Sequence, residues 1–146
     1  MEFQIEFKVA DAVKKMQKVV DKLQVMQPFF DDAEKYFRMR TKEQFETQGG
    51  FLGTKWAGLK QSSIKGRQRS GYAGAILNRT GNLKGSFEVT QRSNLHIVWS
   101  SKVPYYQYHQ KGTSKMVQRQ MIGYNDQARE DLKKLLDLYL KEATNA

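Results

Sequence analysis

Residues 2–9, EFQIEFKV, alternate apolar Phe3, Ile5, Phe7 and Val9 with polar Glu2, Gln4, Glu6 and Lys8, a period of two that predicts a half-buried strand. The period then lengthens. Val13, Met16, Val20 and Leu23 recur at helical spacing, Asp11 stands where an N-cap belongs, and Pro28 ends the run. An amphipathic helix is predicted, its apolar side on the core and Lys14, Lys15, Lys18 and Lys22 facing away. A second helix is predicted from Asp31 or Asp32, carboxylates suited to the positive end of a helix. It carries Ala33, Phe37, Thr41 and Phe45 along one stripe and stops at Gly49-Gly50.

From Gln48 to about Ala75 the chain has no sustained period, is broken by glycines, and still holds Phe51, Leu52, Trp56, Leu59, Ile64 and Tyr72. Large apolar side chains gain nothing from staying in water, so this is not a simple flexible linker. We expect an extended arm or loop over about 48–75 that becomes ordered against another molecule. The alternative is that it folds back to cap its own core.

Past a short turn at AILNRTGNL, SFEVTQRSNLHIVWSS reads as a hairpin. Phe87, Val89 and Gln91 alternate inward, Ser93-Asn94 turns, and Leu95, Ile97 and Trp99 alternate again. Pro104 closes the second strand, YYQYHQKG makes one or two helical turns ended by Gly112, and a short strand is expected near VQRQMIGY. The last helix, capped by Asn125 or Asp126, carries Ala128, Leu132, Leu135, Leu136 and Tyr139 on one side. Three longer helices and three or four strands without a βαβ order predict a single α+β domain over 1–146. Its small antiparallel sheet packs against about three helices.

The net charge of +10 changes this picture once it is divided along the chain. Residues 1–46 hold nine basic and nine acidic side chains, residues 47–125 twelve basic and one acidic (Glu88), and residues 126–146 four basic and five acidic. The whole excess lies in the middle, which suits contact with a polyanion or an acidic protein face, or a surface kept soluble by charge. The absence of cysteine removes disulfides, thiolate ligands and a cysteine nucleophile, and suits a reducing compartment. No apolar run approaches membrane-span length and the N-terminus lacks a signal-peptide pattern, so neither insertion nor secretion is expected.

Catalysis finds little support. Carboxylates are missing from the loop-rich middle, which leaves few metal ligands there, and no phosphate-binding loop, dinucleotide fingerprint or nucleophile elbow occurs. His109 is the one tempting catalytic side chain, in VPYYQYHQKGT. In a helical turn Tyr105, Tyr108 and His109 fall at i, i+3 and i+4 and share a face, which serves ring packing or base stacking alike. Packing in a corner beside a subunit boundary, with His109 supplying a hydrogen bond, is the expectation for a turn this compact.

The order of these features resembles the phage virion morphogenesis family, Mu-like tail-completion proteins of long-tailed phages. The resemblance runs from about residue 30 to 140. It rests on Trp56 with Leu59 in TKWAGLKQSS, Leu77 with Thr80-Gly81-x-Leu83 in AILNRTGNLKGSFEV, Tyr105 to Gly112 around His109, and Arg119 with Gly123 before the last helix. MVQRQMIG departs from the family pattern in lacking a proline and a phenylalanine near the arginine.

The resemblance implies a structural virion protein at the head-proximal end of the tail or in the neck. It would be a homo-oligomeric, hexameric ring that completes the tail and joins it to the head connector around the DNA channel. The expected partners are sister copies, tail-tube or terminator proteins, connector proteins and DNA passed without sequence readout. The expected location is the virion, with the host cytoplasm during assembly.

No catalytic residue, cofactor or metal carries over. Phe51, Leu52, Trp56, Leu59, Tyr72, Tyr105, Tyr108 and His109 become candidates for the assembly interface. Lys55, Lys60, Lys65, Arg67 and Arg69 become candidates for DNA or an acidic partner, and Gly81 and Gly112 for structural turns. The competing readings are a non-sequence-specific nucleic-acid-binding module and a metal-free hydrolase built on His109.

Overall fold

The computed structural model describes residues 9–72 and 74–145, so the strand expected over residues 2–9 lies outside the described residues except for Val9. Among the described residues, five α-helices and a two-stranded antiparallel sheet form an α+β fold. In chain order these are α1 (Ala10–Leu23), α2 (Gln27–Glu46), α3 (Gln61–Arg69), β1 (Phe87–Arg92), β2 (Ile97–Ser101), α4 (Tyr106–Lys111) and α5 (Asp126–Asn145).

α2 is the spine. It begins earlier than its two aspartates suggest, because Pro28 sits in its first turn, where a missing N–H costs nothing. Pro28 therefore opens α2, whereas α1 has already ended at Leu23. Ala33, Thr41 and Phe45 of the expected stripe are buried and Phe37 is half-buried, joined by Phe30, Tyr36 and Gln44.

Two apolar clusters line this spine. Near its start, Met26 and Phe30 pack with Tyr139 of α5, whose hydroxyl donates to the Val25 carbonyl. Near its end, Phe45 packs with Trp56, Leu83, Phe87 and Met121.

α5 follows the expected pattern, with Asn125 as the cap: its Oδ1 accepts from the Ala128 N–H at 2.8 Å. Ala128 and Tyr139 are buried. Ionic contacts bind α5 to α2, since Asp131 accepts from Arg40 at 2.9 Å and from the Tyr36 hydroxyl at 2.9 Å. The Arg40 and Tyr36 bonds hold the Asp131 carboxyl below its ordinary range.

α1 departs from expectation on both counts. Val9, with no side-chain bond to the helix, occupies the N-cap, and Asp11 lies in the first turn. The stripe Val13, Met16, Val20 and Leu23 is exposed, Met16 to 68%. α1 touches α5 near its C-terminus, where Lys22 pairs with Glu142 at 3.3 Å and lies 4.4 Å above the Tyr139 ring. The rest of its apolar face meets none of the described residues of its own chain closely enough to be covered.

The hairpin forms, with a bulge between Val89 and Gln91, so Gln91 turns outward instead of inward. Its turn runs from Ser93 to His96, whose backbone groups bond each other at 2.8 Å, and this leaves Leu95 in the turn and 77% exposed. Arg92 fixes the hairpin to α2 through Asp31 at 3.0 Å and Glu34 at 2.8 Å. Trp99 stacks on Phe37 and donates to Thr41 at 3.0 Å, which accounts for that buried hydroxyl.

No third strand occurs among the described residues. Residues 117–124 run as coil because glutamine side chains satisfy their backbone in place of a ladder. Gln110 accepts from Met121 N at 2.8 Å and Ile122 N at 3.2 Å and donates to Ile122 O at 2.6 Å. Buried Gln44 donates to Gln120 O at 2.7 Å and accepts from Leu52 N at 3.1 Å.

Candidate functional site

The segment 48–75 is neither wholly extended nor without regular structure. It contains α3, and its first half folds back on the core, which was the second of the two sequence readings. Trp56, expected to grip a neighbour, is 7% exposed and lies edge-on to Phe45 at 5.3 Å. Its indole N–H donates to Gln120 O at 2.9 Å. Phe51 lies under the Arg40 guanidinium at 4.7 Å and Leu52 against Gly123, so both serve their own chain as well. Leu59 is half-buried and Tyr72 exposed.

The tyrosine-rich turn is arranged differently from the expectation. Tyr106, not Tyr105 or Tyr108, faces the core, its ring 6.0 Å from Phe87. Tyr105 and Tyr108 point outward, Tyr108 being 58% exposed. His109 contributes its carbonyl, which accepts from Arg119 N at 2.8 Å, whereas its ring Nδ1 is buried without a partner among the described residues. Burial, and then the nearby Arg119 charge, lower the tendency of this imidazole to protonate.

Between α3 and residues 113–119 the surface sinks into a cleft of about 1270 Å³. Lys60, Arg67, Arg79, Lys115, Arg119 and His109 contribute to its lining, and among the described residues no carboxylate does. Leu59, Leu77, Met116 and Val117 add apolar side chains, and Ser63, Ser70, Thr113 and Ser114 add hydroxyls. Leu77 holds φ +60, a left-handed conformation that a bulky side chain adopts only under constraint, and it also packs on the Phe45 cluster.

Arg119 fixes one wall of the cleft to the other. Its Nε donates to Ala57 O and its Nη2 to Gly58 O, each at 3.0 Å, and it is 9% exposed. Burial, followed by repulsion from Arg67, disfavours its charged form. Arg67 in turn donates to Gly74 O and Ala75 O, and Arg79 lies 4.5 Å over the Tyr72 ring.

Of the five cations singled out from sequence, Lys60 and Arg67 line the cleft, whereas Lys55, Lys65 and Arg69 are exposed outside its lining. Arg79, Lys115 and Arg119 complete it and were not among those five. The signal available in the sequence was the near absence of acid from 47 to 125, which left every cation there without a local partner except near Glu88.

A comparison with protein-family models matches residues 8–141 to the phage virion morphogenesis family. The chain belongs to the phage virion morphogenesis family. The match takes in α2, the folded-back segment, the hairpin, the tyrosine turn and nearly all of α5, the same features on which the sequence resemblance rests. Comparison with curated proteins and with solved structures returned no match. In this member of the family no helix among the described residues is long and apolar enough to cross a membrane.

Proposed function

We propose that this virion morphogenesis protein is a non-enzymatic structural subunit at the head-proximal end of a phage tail or in the neck. Copies form a ring, hexameric as the family resemblance implies, that completes the tail and joins it to the head connector around the DNA channel. The observation that carries the reading is the family match over residues 8–141.

The distribution of apolar surface supports it. Val13, Met16, Val20 and Leu23 of α1 are exposed among the described residues, and so are Tyr72, Tyr105 and Tyr108. A head-to-tail ring uses two different patches on each subunit, and packed aromatic and aliphatic anchors supply its stability. We assign the subunit contact to these exposed groups and withdraw Trp56, Phe51 and Leu52 from it, because their own chain occupies them. Lys55, Lys65 and Arg69, exposed and without an ion pair among the described residues, would meet DNA through phosphate charge alone.

Removal of the gene tests the reading. Filled heads and complete-length tails that fail to join are the expected products in electron micrographs. Normal yields of infectious, joined particles would overturn it.

A further inference from the structure

We infer that the cleft between α3 and residues 113–119 is a docking groove for an extended peptide segment of another protein, one that carries carboxylates interspersed with aliphatic side chains. The inference rests on the assembly reading only for the source of that segment.

Charge is the first argument. Lys60, Arg67, Arg79 and Lys115 converge on one hollow, and none of them forms an ion pair among the described residues. The ion pairs among the described residues lie on α1, α2, α5 and in or beside the hairpin, as with Arg40–Asp131 and Arg92–Glu34. The four cleft cations thus share one hollow with no carboxylate among its described lining residues. The buried guanidinium of Arg119, disfavoured by desolvation and by Arg67, would gain from an anion in the same hollow.

Shape and lining decide which anion. At about 1270 Å³ the cleft exceeds the roughly 300–1,000 Å³ typical of small-molecule sites. A DNA duplex carries its phosphates on a convex rod and is met by cations that stand out from a surface, as Lys55, Lys65 and Arg69 do. It would leave the recessed Arg119 and the aliphatic walls without contact. Single-stranded nucleic acid is held by stacked aromatic rings. This cleft offers Leu59, Leu77, Met116 and Val117 instead, and the one aromatic ring among its described lining residues is the His109 imidazole. An extended peptide alternates its side chains and can present carboxylates to the cations and aliphatic groups to those walls at once.

The test is a fluorescence-anisotropy titration of the purified full chain with a labelled peptide of alternating Glu and Leu. Saturable binding that weakens with added salt is expected. Arg79→Glu combined with Lys115→Glu should weaken it by about tenfold or more, because both charges face the same bound segment. Lys55→Glu combined with Lys65→Glu, outside the groove, should change it by less than about twofold. All four positions are exposed, and thermal melts check that the variants stay folded. The neutral pair Arg79→Gln with Lys115→Gln should repeat the loss in smaller measure.

Three results would overturn the inference: no binding at low salt, equal loss from both reversed pairs, or tighter binding of oligothymidylate or duplex DNA through Arg79 and Lys115. The titration needs no assembled particle. A negative titration beside unjoined heads and tails in the gene deletion removes the groove and leaves the assembly reading standing, and the opposite pair of results does the reverse.

Discussion

The indole of Trp56 donates to the Gln120 carbonyl at 2.9 Å, across a gap of 64 residues in sequence. This bond, with the Phe45 edge contact, joins the start of the 48–75 segment to the coil before α5. Trp56 is therefore a folding residue of the isolated chain. Trp56→Ala should cost about 3–5 kcal/mol in a urea melt of the purified protein, the usual range for emptying an aromatic core site. Trp56→Phe keeps most of the packing and leaves Gln120 O with its second donor, the Gln44 amide, so a loss of about 1 kcal/mol is expected. Unchanged stability in Trp56→Ala, with assembly alone lost, would restore the neighbour-gripping arm.

α1 gives the opposite expectation. Its apolar positions are exposed in the single chain, so polar substitutions there remove little burial. Met16→Gln with Val20→Gln should shift monomer stability by no more than about 0.5 kcal/mol. The same pair should move the protein from oligomer toward monomer in size-exclusion chromatography with light scattering. A drop in monomer stability comparable to a core mutation would place this face against its own chain.

The contrast between these two sites marks what could be read from the sequence. α2 and α5 were legible because their apolar positions repeat at the helical period and the repeat coincides with burial, whereas the hairpin was legible in its strands and turn but not in its register, which the bulge after Val89 shifts. In α1 the period gave the helix but not its partner: an amphipathic stripe looks the same whether its own core or another subunit covers it. Residues 117–124 misled because Met121 and Ile122 have strand-like composition while Gln44 and Gln110 satisfy their backbone. That arrangement depends on side chains far away in sequence and leaves no local period. The cleft was half legible. Lys60 and Arg67 share the acid-free segment, but only folding brings Arg79, Lys115 and Arg119 beside them.

Acid should destabilise the fold in two steps. The His109 pKa is lowered from 6.5 by burial and by Arg119, so the unfolded chain takes up a proton before the folded one does. The contribution is complete above about pH 6.5 and declines as pH falls through that value toward the lower folded pKa. Asp131, lowered from 3.8 by its bonds to Arg40 and Tyr36, contributes stability above that value that is lost as pH falls through its folded pKa. Urea midpoints measured across this range should fall first near neutrality and again in strong acid. His109→Gln should remove the first decline and Asp131→Asn the second. A first decline that survives in His109→Gln would assign it elsewhere.

Gly112 and Gly81 both have positive φ, +72 and +79, and differ in what surrounds them. At Gly112 ψ is 169, a region that side-chain-bearing residues essentially do not enter, and an added Cβ would lie 2.9 Å from the Gln118 backbone nitrogen. At Gly81 the same atom would find only the Asn78 side-chain oxygen at 3.9 Å. Strain and collision therefore add at Gly112, whereas strain acts alone at Gly81. Gly112→Ala should cost more than about 2 kcal/mol and loosen the coil that carries Lys115 and Arg119. Gly81→Ala should cost about 1 kcal/mol, and Gly81→Asn less, since asparagine tolerates the left-handed region. Urea melts of the three variants check the order, and equal costs at the two glycines would mean that the tight approach of Gly112 to Gln118 does not hold the turn.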